Sequence, residues 1–256
     1  MQEPLIFDSH AHYTDPAFDP DRDALLTALP DRGVARVMLA ASDIASSRAG
    51  IALAERFAYI YAAVGIHPEE AAQVPADALH ILEELLTCKK VQAVGEIGLD
   101  YHYPDFDPEQ QKALFCAQLE LAAAHDLPVI IHCRDATGDC MEILRRYRPK
   151  GVMHCFSGSA ETARELVRMG MYVGFTGVVT FKNARRALEA VRAVPMDRLL
   201  VETDCPYMAP VPYRGKRCDS SMLPMTAGRM AEEKGCTLEA MLRQTAENAK
   251  RLFAVD

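Results

Sequence analysis

Ile6-Phe7-Asp8-Ser9-His10-Ala11-His12 is the stretch from which the rest of the chain can be read. The apolar run Leu5–Phe7 predicts a first strand, and two imidazoles follow just past its C-terminal end. Residues i and i+2 of an extended chain point to one side, so His10 and His12 can reach the same metal ion. Later strand-like runs also end in ligand-type side chains, at Glu96, His132, His154 and Asp204. A lone His-x-His is weak evidence for a metal site, because a single buried histidine is more often a hydrogen-bonded core residue. Five strand ends carrying the same chemistry are far more specific.

Eight apolar, β-branched-rich runs occur in order: Leu5–Phe7, Val34–Ala40, Tyr59–Gly65, Val91–Glu96, Pro128–His132, Gly151–His154, Tyr172–Phe175 and Leu199–Glu202. Helical apolar spacing fills the gaps, at Asp21–Leu29, Ala45–Phe57, Ala76–Leu86, Pro108–His125, Gly138–Tyr147, Ala160–Met169 and Ala184–Val194. Pro75 and Pro108 fall near helix starts, where a missing N–H costs little. Ser42, and Ser159 with Thr162, suit helix caps. Two more helices, Leu223–Lys234 and Leu238–Phe253, are divided by Gly235 and Cys236.

This rhythm predicts an α/β fold, a (β/α)8 TIM barrel forming a single domain over 1–256 with extra C-terminal helices. An open doubly wound sheet is the competing architecture. Closure favours the barrel, because it gathers the ends of strands one, four, five, six and eight around one mouth. An open sheet would leave the first and last of these far apart. No Gly-x-Gly-x-x-Gly follows the first strand, which also argues against a dinucleotide fold.

Half the residues are hydrophobic, enough for a full core, and no segment has a disordered composition. No apolar run approaches the roughly 18 residues that span a bilayer, so no membrane association is expected. The N-terminus lacks the basic-then-apolar layout of a secretion signal. The eight cysteines are scattered without a Cys-x-x-Cys pair, and a reducing, cytoplasmic setting is expected. A net charge of −8 argues against coating nucleic acid with a broad basic face. It leaves room for a nucleic acid substrate held transiently by local positive charge.

Imidazole and carboxylate donors without thiolate suit zinc, manganese, iron or magnesium-like ions, and four His bias the choice toward zinc or manganese. Glu96 can offer one oxygen to each of two ions; its bland alternative is a buried carboxylate paired with an arginine. His132 and His154 end consecutive strands in equivalent positions, which favours ligation over two separate core histidines. Asp204 can bind metal and accept a proton from water, where the plainer role is a turn cap before Pro206. Cys133, Cys155 and Cys205 each follow a candidate ligand directly. Strand alternation turns them toward the helix layer, so they read as packing residues.

Blocks spanning nearly the whole chain resemble the TatD family of metal-dependent hydrolases, within the amidohydrolase-like barrels. They are Asp8-Ser9-His10-Ala11-His12, Gly65-Ile66-His67-Pro68, Gly95-Glu96-Ile97-Gly98-Leu99-Asp100-Tyr101, Pro128–Ala136, His154-Cys155-Phe156-Ser157-Gly158, Glu202-Thr203-Asp204 running on to Pro212–Arg217, and Thr245–Phe253. The resemblance implies two divalent ions, one held by His10, His12 and Asp204, the other by His132 and His154, with Glu96 bridging. It implies Asp204 as general base and Glu96 as the second catalytic group. After Arg217 the family often continues Asn-Glu-Pro, whereas this chain reads Cys218-Asp219-Ser220, and Met225 stands where His is frequent.

The resemblance also implies 3′-to-5′ trimming of single-stranded DNA, with possible abasic-site cleavage and a role in DNA repair or degradation. Near the mouth, Tyr207, Tyr213, Arg214, Lys216 and Arg217 offer stacking faces and local positive charge. Arg134 follows His132 by two residues and faces the same opening, and His67 ends the third strand run. His67 could contact substrate or make a structural hydrogen bond. No obligate protein partner is indicated. An esterase or deacylase, acting on mischarged D-aminoacyl-tRNA or a lactone, is the alternative, since activated water also attacks carbonyls. A binding protein on a degenerate barrel would not need the complete ligand set.

Overall fold

The computed structural model describes residues 5–256. Its eight strands are β1 (Ile6–Ala11), β2 (Val34–Leu39), β3 (Ile60–Val64), β4 (Val91–Asp100), β5 (Val129–Arg134), β6 (Gly151–Met153), β7 (Tyr172–Phe175) and β8 (Leu199–Val201). They pair in parallel in sequence order. The helices between them are α1 (Arg22–Ala28), α2 (Ile44–Arg56), α3 (Ala78–Leu85), α4 (Pro108–Ala124), α5 (Thr137–Tyr147), α6 (Ala160–Arg168) and α7 (Arg185–Ala193). Of the two C-terminal helices, α8 (Leu223–Lys234) completes the eighth unit, and α9 (Leu238–Phe253) is the addition. The (β/α)8 barrel is thus the observed fold.

Helix starts follow local chemistry. Pro108 occupies the first turn of α4 behind the Asp107 cap, and the Ser159 side chain accepts from Thr162 N at the head of α6. At α2 the cap is Asp43 rather than Ser42, in a reciprocal pair with Ser46. Each helix buries a narrow stripe on the sheet, such as Cys140, Met141 and Leu144 of α5 or Ala187, Ala190 and Val191 of α7.

One residue per strand fills the barrel interior: Phe7, Met38, Ala63, Ala93, Ile130, Val152, Tyr172 and Leu200. Their neighbours, such as Val37, Leu39, Val129 and Ile131, belong to the cluster beneath the helices. The interior cluster continues into Ala246, Ala249, Leu252 and Phe253 of α9, with the Phe253 ring 6.0 Å from that of Phe7. Asn248 of α9 donates to the carbonyls of Met196 and Leu199 at the start of β8. The added helix therefore closes the N-terminal end of the barrel and leaves the C-terminal mouth to the site.

Closure between β8 and β1 relies on little ladder. A single bridge joins Ala11 and Cys205, with His12 N donating to Cys205 O at 2.8 Å and Asp204 N to His10 O at 2.9 Å. Buried side chains supply the rest. Asp8 accepts from Thr203 N, Thr203 Oγ1 and Ser220 Oγ, and Ser9 Oγ donates to Val201 O. Burial pushes the Asp8 carboxyl up to about 6, although these hydrogen bonds pull the other way.

The end plug gives a test. Truncating the fully buried Phe253 to Ala should cost about 3–5 kcal/mol of unfolding free energy. Urea unfolding should show an earlier midpoint at unchanged slope. A loss under about 1 kcal/mol would mean that the helix does not seal the core.

Candidate metal centre

Strict alternation from Phe7 inside the barrel would put Ala11 inside and both histidines outside. Ala11 instead lies in the outer cluster, so the strand changes phase between the two. The pairing of β1 with β2 is irregular between Asp8 and Ala11, and that irregularity turns His10 and His12 inward. The first strand also runs on to Ala11, so His10 lies within it and not past its end. Strand β4 repeats the device. Ala93 is interior, Val94, Ile97 and Leu99 are outer, and the register shift between Val94 and Ile97 brings Glu96 inside. This strand continues to Asp100, beyond the expected end at Glu96. Plain alternation suffices for His132 and His154, two residues beyond interior Ile130 and Val152.

Two donor sets result, one on each oxygen of Glu96. Oε2 lies 3.2 Å from His10 Nε2 and 3.6 Å from His12 Nε2. The two nitrogens are 3.0 Å apart, and Asp204 Oδ1 sits 3.6 and 3.2 Å from them. Oε1 lies 2.8 Å from His132 Nδ1 and 2.6 Å from His154 Nε2, with 3.4 Å between those nitrogens. Donors about 2.0–2.1 Å from a tetrahedral ion are separated by roughly 3.3–3.4 Å. The first set matches that spacing without rearrangement, and the second is slightly tighter.

The electrostatics point the same way. Burial tends to raise the Glu96 carboxyl, but the charges of His154 and His10 hold it well below the usual range. Burial and the neighbouring His154 lower His10 to about 4. His12 rises to about 9 against the effect of burial, through its hydrogen bond to Asp204 and the charges of Asp204 and Glu96. His132 rises to about 10 against burial, through Asp100 and Glu96. Carboxylates and imidazoles thus lie close enough to share protons. A divalent ion would take the place of those protons, so the residues fit a metal.

The backbone and outer partners aim these rings. His12 Nδ1–H donates to Ala40 O at 3.1 Å, which points Nε2 at the carboxylates. His132 Nε2 meets Asp100 Oδ2 at 2.9 Å, leaving Nδ1 for Glu96. Glu202, buried and raised to about 7 mainly by desolvation, accepts from Cys155 N and Ser9 Oγ and lies 3.7 Å from His154 Nδ1. A side chain at Gly174 would meet that carboxylate at 2.3 Å, and one at Gly98 would strike His132 O at 2.0 Å. On one face of α4, Gln111 clamps both backbone groups of Asp100, and Gln118 those of Ile66. Asp100, Glu202 and the two glutamines were not among the expected site residues. Asp100 was within reach: continuing alternation from Glu96 puts it on the same face.

His67 makes the structural hydrogen bond considered for it. Its Nδ1 accepts from Glu69 N, so the neutral ring carries its hydrogen on Nε2, 3.8 Å from Glu96 Oε1. Burial lowers it to about 4, which keeps it neutral. At the rim, Tyr207, Tyr213, Arg214, Lys216 and Arg134 are exposed. Arg214 lies over the Phe181 ring and Lys216 over Tyr213, and neither forms an ion pair among the described residues. Arg217 is different. Its guanidinium grips both oxygens of Asp21 at 2.6 and 2.7 Å and donates to Ala17 O, so it anchors the loop. Ser220, in the departing Cys218-Asp219-Ser220 segment, donates to Asp8 and meets Tyr13 OH. Cys205 is buried in the outer core and Cys133 packs against that core, as expected of packing cysteines, whereas Cys155 lies outside it with its Sγ 3.6 Å from Thr176 Oγ1.

Known proteins match this architecture. The family described as TatD related DNase matches residues 7–254. An uncharacterized metal-dependent hydrolase, YabD of Bacillus subtilis, is 41% identical over 98% of this chain and 100% of its own length. A 3′-5′ ssDNA/RNA exonuclease TatD of Enterobacter lignolyticus is 32% identical over 98% and 99%. The crystal structure of YjjV, a TatD homolog from Escherichia coli K12, superposes with a TM-score of 0.94 at 30% identity, covering 99% of each chain. No helix among the described residues is long and apolar enough to cross a membrane.

Asp100 offers a test separate from turnover. Asp100→Ala frees the His132 ring and should weaken binding of the ion it serves by about 10–100-fold. Titration of manganese or zinc, with circular dichroism to confirm folding, measures it. Parental affinity at every ion would remove Asp100 from the site.

Proposed function

The chain belongs to the TatD family of metal-dependent hydrolases, and from that premise we propose that it is a nuclease trimming single-stranded DNA in the 3′-to-5′ direction, with abasic-site cleavage at the same centre. His10, His12 and Asp204 would hold one divalent ion, His132 and His154 a second, and Glu96 one oxygen of each set. Zinc, manganese or magnesium there would acidify water and offset charge on phosphate oxygens.

The chain's own groups take the remaining roles. Asp204, the more open of the two ligand carboxylates at 9% exposure against 3% for Glu96, takes the proton of the attacking water. Its backbone sits at φ +58°, a region Asp tolerates. His67 Nε2–H donates toward a phosphate oxygen. Arg134, Arg214 and Lys216 attract the backbone, and Tyr207 and Tyr213 present faces to unstacked bases. The observation that carries the reading is this rim: exposed aromatic rings interleaved with uncommitted cations beside a buried acidic and imidazole centre. Single-stranded nucleic acid uses both features, whereas a small ester or lactone needs neither.

Arg214→Ala with Lys216→Ala tests it. Single-stranded DNA binding should weaken, and its logarithmic salt slope should flatten by roughly 0.7 for each phosphate no longer neutralised. The double variant should lose more hydrolysis on an oligonucleotide than on a small activated phosphodiester. Parental affinity and slope would reduce the loop to a solvated turn. Turnover of D-aminoacyl-tRNA or small esters, with none on oligonucleotides, would replace the nuclease reading.

A further inference from the structure

Tyr103 has no role in the centre described above, yet it is one of the most exposed aromatic rings in the protein. It is 52% exposed, close to the 56% of Tyr207. Isolated exposed tyrosines are ordinary. Three observations set this one apart.

Its loop is held at both sides. Asp100 Oδ1 accepts from His102 N at 2.9 Å, and the His102 ring pairs with Asp135 at 2.9 Å. Tyr101 stacks on Phe106 at 4.6 Å and donates to Asp139, which Lys112 also grips. A ring presented from an anchored loop loses little freedom when it stacks. Second, the Arg134 guanidinium lies 5.5 Å from the Tyr103 ring centroid and forms no ion pair among the described residues. Aromatic face and uncommitted cation are thus joined in one unit. Third, the unit sits between β4 and β5. In a ring of eight strands that is the side opposite β8 and β1, where Tyr207 hydrogen-bonds Asp15. The ligand cluster lies between the two sides. The same Asp100 carboxylate that ties down His102 also holds His132, which fixes the rim unit relative to the site.

We propose that Tyr103, backed by Arg134, is a second base-stacking station, facing Tyr207 and Tyr213 across the mouth. The substrate is then a single strand long enough to cross the opening, with its scissile phosphate over Glu96 and a base held on each side. A mononucleotide or a small diester reaches only one station. This specificity rests on the nuclease reading and adds to it a length requirement that the ligand cluster alone does not impose.

The test compares parent, Tyr103→Ala and Tyr103→Phe, each metal-loaded and matched for metal content, on a single-stranded oligonucleotide and on bis(4-nitrophenyl) phosphate. The Tyr103→Ala loss in kcat/KM should be about tenfold greater on the oligonucleotide, carried mainly by KM, as expected for the removal of one base stack. Tyr103→Phe, which keeps the aromatic face, should recover most of it. Equal losses on both substrates, in a parent that degrades oligonucleotides, would overturn the station and leave the nuclease reading standing. So would a Tyr103→Phe variant as impaired as Tyr103→Ala. A parent that cleaves the small diester and no oligonucleotide would remove both.

Discussion

A buried carboxylate at the centre of the barrel mouth is the constraint on which the rest depends. Glu96 is 3% exposed, and an uncompensated charge at such depth is strongly unfavourable. The surrounding imidazoles make it tolerable, His154 and His132 on one oxygen, His10 and His12 on the other. Each ring then needs its own orientation fixed, and the second layer follows: Ala40 for His12 and Asp100 for His132. Asp100 is in turn clamped by Gln111 of the helix that follows its strand. The local chemistry reaches outward through hydrogen bonds until it meets the helix layer.

Stability and chemistry occupy opposite ends of the barrel. The N-terminal end is apolar and plugged by the last helix, where Phe253 meets Phe7. The C-terminal end carries the ligands, Arg134, Arg214 and Lys216 (unpaired among the described residues), and the exposed rings of Tyr103, Tyr207 and Tyr213. The seam between the first and last strands has few ladder hydrogen bonds, and the Asp8, Thr203 and Ser220 network bridges it directly beneath the site. Ser220 belongs to the segment that departs from the family's usual Asn-Glu-Pro, so in this chain the departure is built into the closure of the barrel.

The fold was legible because alternating strand and helix patterns leave few architectures open, and ligands on both the first and last strands favour the closed one. His132 and His154 were legible for a simple reason: an unbroken strand alternates, and their apolar neighbours show the phase. His10, His12 and Glu96 were found by residue type and position, but alternation does not explain how they point inward. Both β1 and β4 change phase near them, and a local register shift leaves no periodic signature in sequence. Asp100 escaped notice because β4 was expected to end at Glu96. The commitment of Arg217 to Asp21 was equally hidden, since the two lie 196 residues apart in sequence and become neighbours only when β8 closes on β1.

In the proposed centre one buried carboxylate, Glu96, organises two cation sites. Anomalous diffraction from crystals grown with manganese tests it most directly. Two peaks should flank Glu96, one among His10, His12 and Asp204, the other beside His132 and His154. A single peak, or ions bound away from Glu96, would contradict it.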